Sequence, residues 1–185
     1  MEWIIIGVIV AIVLFGVTIY NRLVGLRQTT NQAWADVDVQ LKQRHDLVPN
    51  LIETVKGYAG HERGTLEAVV AARNAAAAAS GPQETARAEN MLTGALRQLF
   101  ALAEAYPDLK ANTNFLQLQT ELADIENKIA AARRFFNNAV QEYNTAVEQF
   151  PAVLFAASLG FTKRDFFEVD ASQRAAVDAP PQVSF

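Results

Sequence analysis

Hydrophobic and polar positions divide the chain into an unbroken apolar block followed by a long stretch of helical periodicity. From Trp3 to Tyr20 there is no charged residue, and Thr18 is the one hydroxyl before the closing tyrosine. Eighteen residues at about 1.5 Å each span roughly 27 Å, close to the hydrocarbon thickness of a bilayer. Trp3 and Tyr20 bracket the run, where interfacial rings are expected. The pattern predicts an uncleaved membrane anchor over residues 1–21. A signal peptide is the main competitor, but Met1-Glu2 supplies no Lys or Arg, the run exceeds a usual signal core, and no small-x-small site closes it. The lack of any polar face argues against a buried soluble helix.

Helix-compatible sequence then continues without a Gly-Pro break to Tyr58, so the anchor is expected to run into the first helix of a bundle spanning residues 22–160. Trp34, Val37, Leu41, Val48, Ile52 and Val55 recur at three, four or seven residues. Pro49 falls inside this pattern and predicts a kink near His45; Gly57 and Gly60 predict a turn. A second helix is expected from His61 to Ala79, ending in an alanine run before Ser80-Gly81-Pro82. A third fits Gln83–Glu104, with Ala88, Leu92, Leu96, Leu99 and Ala103 on one face. After Pro107, Asn112-Thr113 offers an N-cap. The fourth and longest helix carries a seam from Leu118 to Phe150, where Pro151 stops or bends it. No alternating strand pattern competes. Residues 161–185 read as a mostly irregular tail, docked in part by Phe166-Phe167 and extended at Pro180-Pro181. The fold class is therefore all-α: a transmembrane helix continuing into an antiparallel bundle of about four long helices.

Composition narrows the function. The 185 residues contain no cysteine, which excludes disulfide scaffolds, thiolate zinc sites and cysteine catalysis. Two histidines and a net charge of −4 argue against histidine-rich metal sites and against nucleic acid as a partner. Arg22, Arg27, Lys42 and Arg44 follow the apolar run while only Glu2 precedes it, so positive-inside bias predicts an outside N-terminus and a cytoplasmic bundle.

The densest polar cluster is Arg44-His45-Asp46, ahead of Pro49-Asn50. His45 and Asp46 invite an acid–base reading, but adjacent helical residues point some 100° apart and cannot directly face one site. Ion pairing around a proline is the better account. Asp36 and Asp38 would complete an enzymatic reading. His61-Glu62 lacks both the Glu-x-x-His and the His-Glu-x-x-His spacing. No phosphate loop and no serine motif is present. On the fourth helix Glu126, Arg133, Asn137 and Asn144 fall along one line beside the seam. There they call for partners such as Arg73 or Asp38 and suit register control better than catalysis. Asn137-Asn138 with Asn144 equally suit an interface between subunits. No catalytic residue, cofactor or metal is expected.

These residues also carry a resemblance. The stretch Ala33-Trp34-Ala35-Asp36-Val37-Asp38, running into Arg44-His45-Asp46-Leu47-Val48-Pro49-Asn50-Leu51, resembles the signature of the LemA family of bacterial membrane proteins. Val55-Lys56-Gly57-Tyr58, Glu104-Ala105-Tyr106-Pro107, Glu126-Asn127-Lys128-Ile129, Arg133, Asn137, Tyr143-Asn144 and Phe150-Pro151 extend it over nearly all of residues 20 to 170. Phe136 departs from it, since the family usually has Tyr before the Asn. The resemblance implies a single-span, N-out anchor in the bacterial cytoplasmic membrane and a helical bundle; it does not imply an enzyme activity. It also implies a possible membrane partner, such as a metalloprotease of the HtpX type.

The function expected from these readings is a non-enzymatic, self-associating scaffold on the lipid bilayer, a homo-oligomer with coiled-coil character. An adaptor or regulatory subunit of a membrane enzyme is the alternative.

Overall fold

The structure, a computed structural model, is described for residues 1–168. Its regular structure over these residues is entirely helical: α1 spans Glu2–Ala59, α2 Arg63–Ala78, α3 Pro82–Ala103, α4 Pro107–Lys110 and α5 Thr113–Glu148, followed by 3-10 turns at Ala152–Leu154 and Ala157–Leu159 and an irregular stretch over 161–168. The expected elements are present, with corrections at the junctions. Gly57 lies inside α1 rather than in a turn, because nothing contacts its missing side chain and helical bonding continues to Ala59. Pro107 opens a one-turn helix rather than only ending its predecessor, since its fixed φ suits a first helical position. Asn112 caps α5 as expected, its Oδ1 accepting the Phe115 N–H at 3.0 Å. Pro49 does not end α1.

The chain divides into two compact units. In the first, Met1–Val37 joins Ala132–Asp165. Leu23 packs with Tyr143, Ala146, Val147, Ala152, Ala156 and Phe161. Further along α1, the Trp34 ring meets that of Phe136 at 5.2 Å, so α1 and α5 run antiparallel here. Phe136 is buried against an aromatic face, where a phenyl ring needs no hydroxyl partner.

The second unit holds Asp38–Ala131 and the described residues from Phe166 onward. Its core joins Val48, Leu51 and Val55 of α1, Leu66 and Val69 of α2, Leu92, Leu96 and Leu99 of α3, Leu109 of α4 and Leu122 of α5. Arg44 meets Glu126, and Asn112 donates to the Tyr58 hydroxyl at 2.9 Å. Fourteen residues forward along α1 are thus matched by fourteen residues back from Glu126, which fixes an antiparallel register. Of the aromatics expected to dock the tail, Phe167 is buried and Phe166 half-buried. Pro180-Pro181 lies outside the described residues.

Candidate functional site

Arg44 is the point at which three helices meet. Its side chain is 2% exposed. One terminal nitrogen donates to Glu89 Oε2 of α3 at 2.7 Å; the other reaches Thr93 Oγ1 at 2.8 Å and Glu126 Oε1 of α5 at 2.6 Å. The neighbouring His45 places Nε2 2.5 Å from the other oxygen of Glu89. One buried carboxylate is therefore held by two consecutive residues of α1. Thr93 in turn donates to the Glu89 carbonyl at 2.9 Å. On the opposite side, Arg73 of α2 donates its Nε to the backbone carbonyl of His45 at 3.2 Å. Residues 44 and 45 thus touch all three other long helices.

Charge explains the arrangement. A guanidinium in a core needs anionic partners, and Glu89 and Glu126 supply two; among the described residues its buried Nε has no hydrogen-bond partner. Glu126 stays 40% exposed at its side chain, so one end of the network is wet. That end faces a groove of about 350 Å³ between α3 and α5, walled by Leu96, Arg97, Phe100, Gln119, Leu122 and Ala123. The carboxylate of Glu89 is buried within this network, so its geometry suits a register clamp.

The structure separates the other predicted residues. Asp38, Asp46, Pro49 and Asn50 are exposed, and Asp46 does not join the His45 side chain. Asp36 is exposed as well. Glu126 pairs with Arg44, and Arg73 donates its Nε to the His45 carbonyl. Trp34, Arg133 and Asn137 are half-buried, and Tyr143 is buried in the first unit, with the Arg164 guanidinium 5.7 Å over its ring. Asn144 spends its side-chain amide within its own chain. It donates to the Arg164 carbonyl at 2.9 Å and accepts the Arg164 N–H at 2.8 Å.

Glu89 and Thr93 are absent from the sequence expectations. A signal for Glu89 exists: Thr85, Glu89, Leu92, Leu96, Leu99 and Ala103 repeat at alternating steps of four and three, so the seam passes through the carboxylate. Arg44 likewise fills the seven-residue gap between Leu41 and Val48.

Elsewhere, the Tyr106 hydroxyl donates to Glu62 Oε1 at 3.2 Å. Partial burial, then this bond and the Glu62 charge, raise the phenol above its ordinary value of 10.0. Among the described residues no cluster of three or more His, Cys, Asp or Glu could hold a metal ion.

An apolar N-terminal helix leading into helices clamped by buried charge defines a membrane-type helical protein. The chain belongs to the LemA family, whose model matches residues 33–185. Curated relatives agree. Magnetosome protein MamQ of Magnetospirillum gryphiswaldense is 24% identical, over 89% of this chain and 70% of its own length. Protein LemA of Metamycoplasma hominis is 26% identical, over 85% of this chain and 73% of its own. Magnetosome protein MamQ 2 of Paramagnetospirillum magneticum is 23% identical, over 87% and 67% respectively.

Proposed function

We propose that this protein is a non-enzymatic scaffold anchored by a single span in the bacterial cytoplasmic membrane, with its N-terminus outside, its bundle in the cytoplasm and its copies associated with one another. The observation that carries the anchor is the surface of the first part of α1. Its apolar window is long enough to cross a bilayer and buries none of its residues within the chain. Trp3, Ile4 and Ile12 are among the side chains left uncovered. An apolar helix left this exposed needs lipid around it. Arg22 and Arg27 directly after the run support the orientation.

Self-association draws on apolar side chains left outward on the bundle helices, Met91, Leu116 and Phe135 among them. The clamp at Arg44 fits this role, because a scaffold needs fixed helix register more than a reactive group. Native mass measurement in mild detergent tests it: a ladder or a discrete oligomer is expected, and a monomer at every concentration sinks the scaffold.

The adaptor reading draws on the α3–α5 groove beside Glu126. Crosslinking in native membranes would have to join one membrane enzyme to this groove; recovery of self-crosslinks alone rejects it.

A further inference from the structure

The first unit carries a second uncovered apolar surface. After α5 ends at Glu148 the chain turns a corner through the two 3-10 turns. The inner face of this corner is packed, with Ala152, Ala156 and Phe161 buried against Leu23, Tyr143 and Val147. Gly160, at a φ of 76°, makes the left-handed turn that sends Phe161 inward. The outer face is apolar and bare: Phe150 is 80% exposed and Leu154 73%, with Val153 and Leu159 about half exposed.

Position makes this surface informative. Phe150 and Pro151 share a cavity of about 310 Å³ with Phe15, Ile19 and Arg22 of α1. Phe15 lies five residues inside the Tyr20 end of the apolar run, or about 7–8 Å along a helix axis. The ring of Tyr20 itself meets the edge of Phe161 at 5.5 Å. Phe150 is therefore level with the last turn and a half of the span, while the packed side of the corner reaches along α1 to Leu23 and Arg27 just beyond it. Elements lying in a membrane interface bury their apolar face by roughly 5–10 Å, the same depth.

We propose that the corner Phe150–Leu159 is a second membrane-contact surface, its outer side chains Phe150, Val153, Leu154 and Leu159 seated in the leaflet from which α1 emerges. The occupant is the phospholipid bilayer, because the bare corner stands beside the uncovered surface of the span, across a cavity that Phe15 and Phe150 both line. Arg22, exposed at the cavity wall, stands where lipid phosphates lie. The corner would fix the tilt and rotation of α1, which one span alone leaves free. The inference rests on the anchor reading above.

Because the chain has no cysteine, single labels can be placed without background. An environment-sensitive NBD dye is attached to Leu154→Cys or Val153→Cys at the corner, to Ile9→Cys in the span and to the exposed Gln98→Cys on α3. Each full chain is reconstituted in vesicles of phosphatidylcholine and phosphatidylglycerol, with its helicity checked against the unlabelled protein. The corner labels are expected to emit blue-shifted light and to lose most of it to lipids carrying a spin label near the headgroup. Ile9 responds to deep spin labels and Gln98 to neither. If Ile9 is quenched while both corner labels emit as in water, the anchor stands and the corner proposal falls. If Ile9 is not quenched either, the anchor reading falls and takes this one with it. Corner labels shielded from lipid quenchers but transferring energy between differently labelled copies would assign the surface to a second chain and overturn the proposal.

Discussion

The Nε of Arg73 donates to the backbone carbonyl of His45 at 3.2 Å, and that carbonyl is the one Pro49 leaves without a helical partner. In an α-helix the N–H of residue 49 would bond to residue 45; proline has none. A side chain from α2 therefore supplies a missing main-chain donor of α1, and α1 continues to Ala59. The same His45 offers its ring to Glu89, so one residue is held through backbone and side chain by different helices.

Replacing Arg73 by Met should leave this carbonyl unsatisfied and cost about 1–3 kcal/mol. Pro49→Ala introduces the helical N–H donor that proline lacks at position 49, so the Arg73→Met penalty should shrink in that background. Denaturant titration in detergent, followed by far-ultraviolet circular dichroism, reads both. Equal penalties in the two backgrounds would show that Arg73 acts elsewhere.

Glu89→Leu should destabilise by roughly 3–5 kcal/mol, because it strips a partner from a buried guanidinium. The double change Arg44→Met with Glu89→Leu should recover most of that loss, since the buried charge goes with its partner. A double-mutant cycle on unfolding midpoints measures the coupling. Additive losses would mean that the two side chains are energetically independent.

Tyr106 should titrate above its ordinary value in the folded chain, and Glu62→Gln should bring it down toward that value. A folded value raised above the unfolded one contributes stability that is complete below pH 10 and lost as pH climbs through the raised value. Carbon-13 shifts of the labelled tyrosine ring against pH check both. An unchanged titration in the Glu62 variant would remove the carboxylate from the account.

Asn144→Ala should release the segment around Arg164, whose backbone it grips at both its N–H and its carbonyl. The expected cost is about 1–3 kcal/mol, with faster amide exchange at 161–165 and quicker tryptic cleavage after Lys163 and Arg164. Asn144→Asp keeps the acceptor and loses the donor, so it should fall between wild type and alanine. Exchange confined to the helices in either variant would contradict the grip.

Much of the fold was legible because each long helix repeats its apolar positions at three and four residues. The Asn112 cap and the stop near Pro151 follow from local backbone chemistry that tertiary contacts do not reverse. The clamp was only half legible. Arg44, His45 and Glu126 stand out as charges, but Glu89 hides in a seam whose alanine and leucine neighbours describe the helix without it. Pairing depends on which helix faces which, and the periodicity of one helix does not encode its neighbour.

Alone, the sequence determined the apolar N-terminal segment, the all-helical class and most helix boundaries to within a few residues, because each depends on composition and spacing along a single stretch. Only the tertiary structure decided that Arg44 would meet Glu89 and Glu126, that Arg73 would answer Pro49, and that Phe150 would stand beside Phe15. Those contacts join residues separated by 28 to 135 positions. The first two form because a buried charge and an orphaned carbonyl have to be satisfied by whatever helix packing brings within reach, and the third follows from the antiparallel packing of α5 on α1.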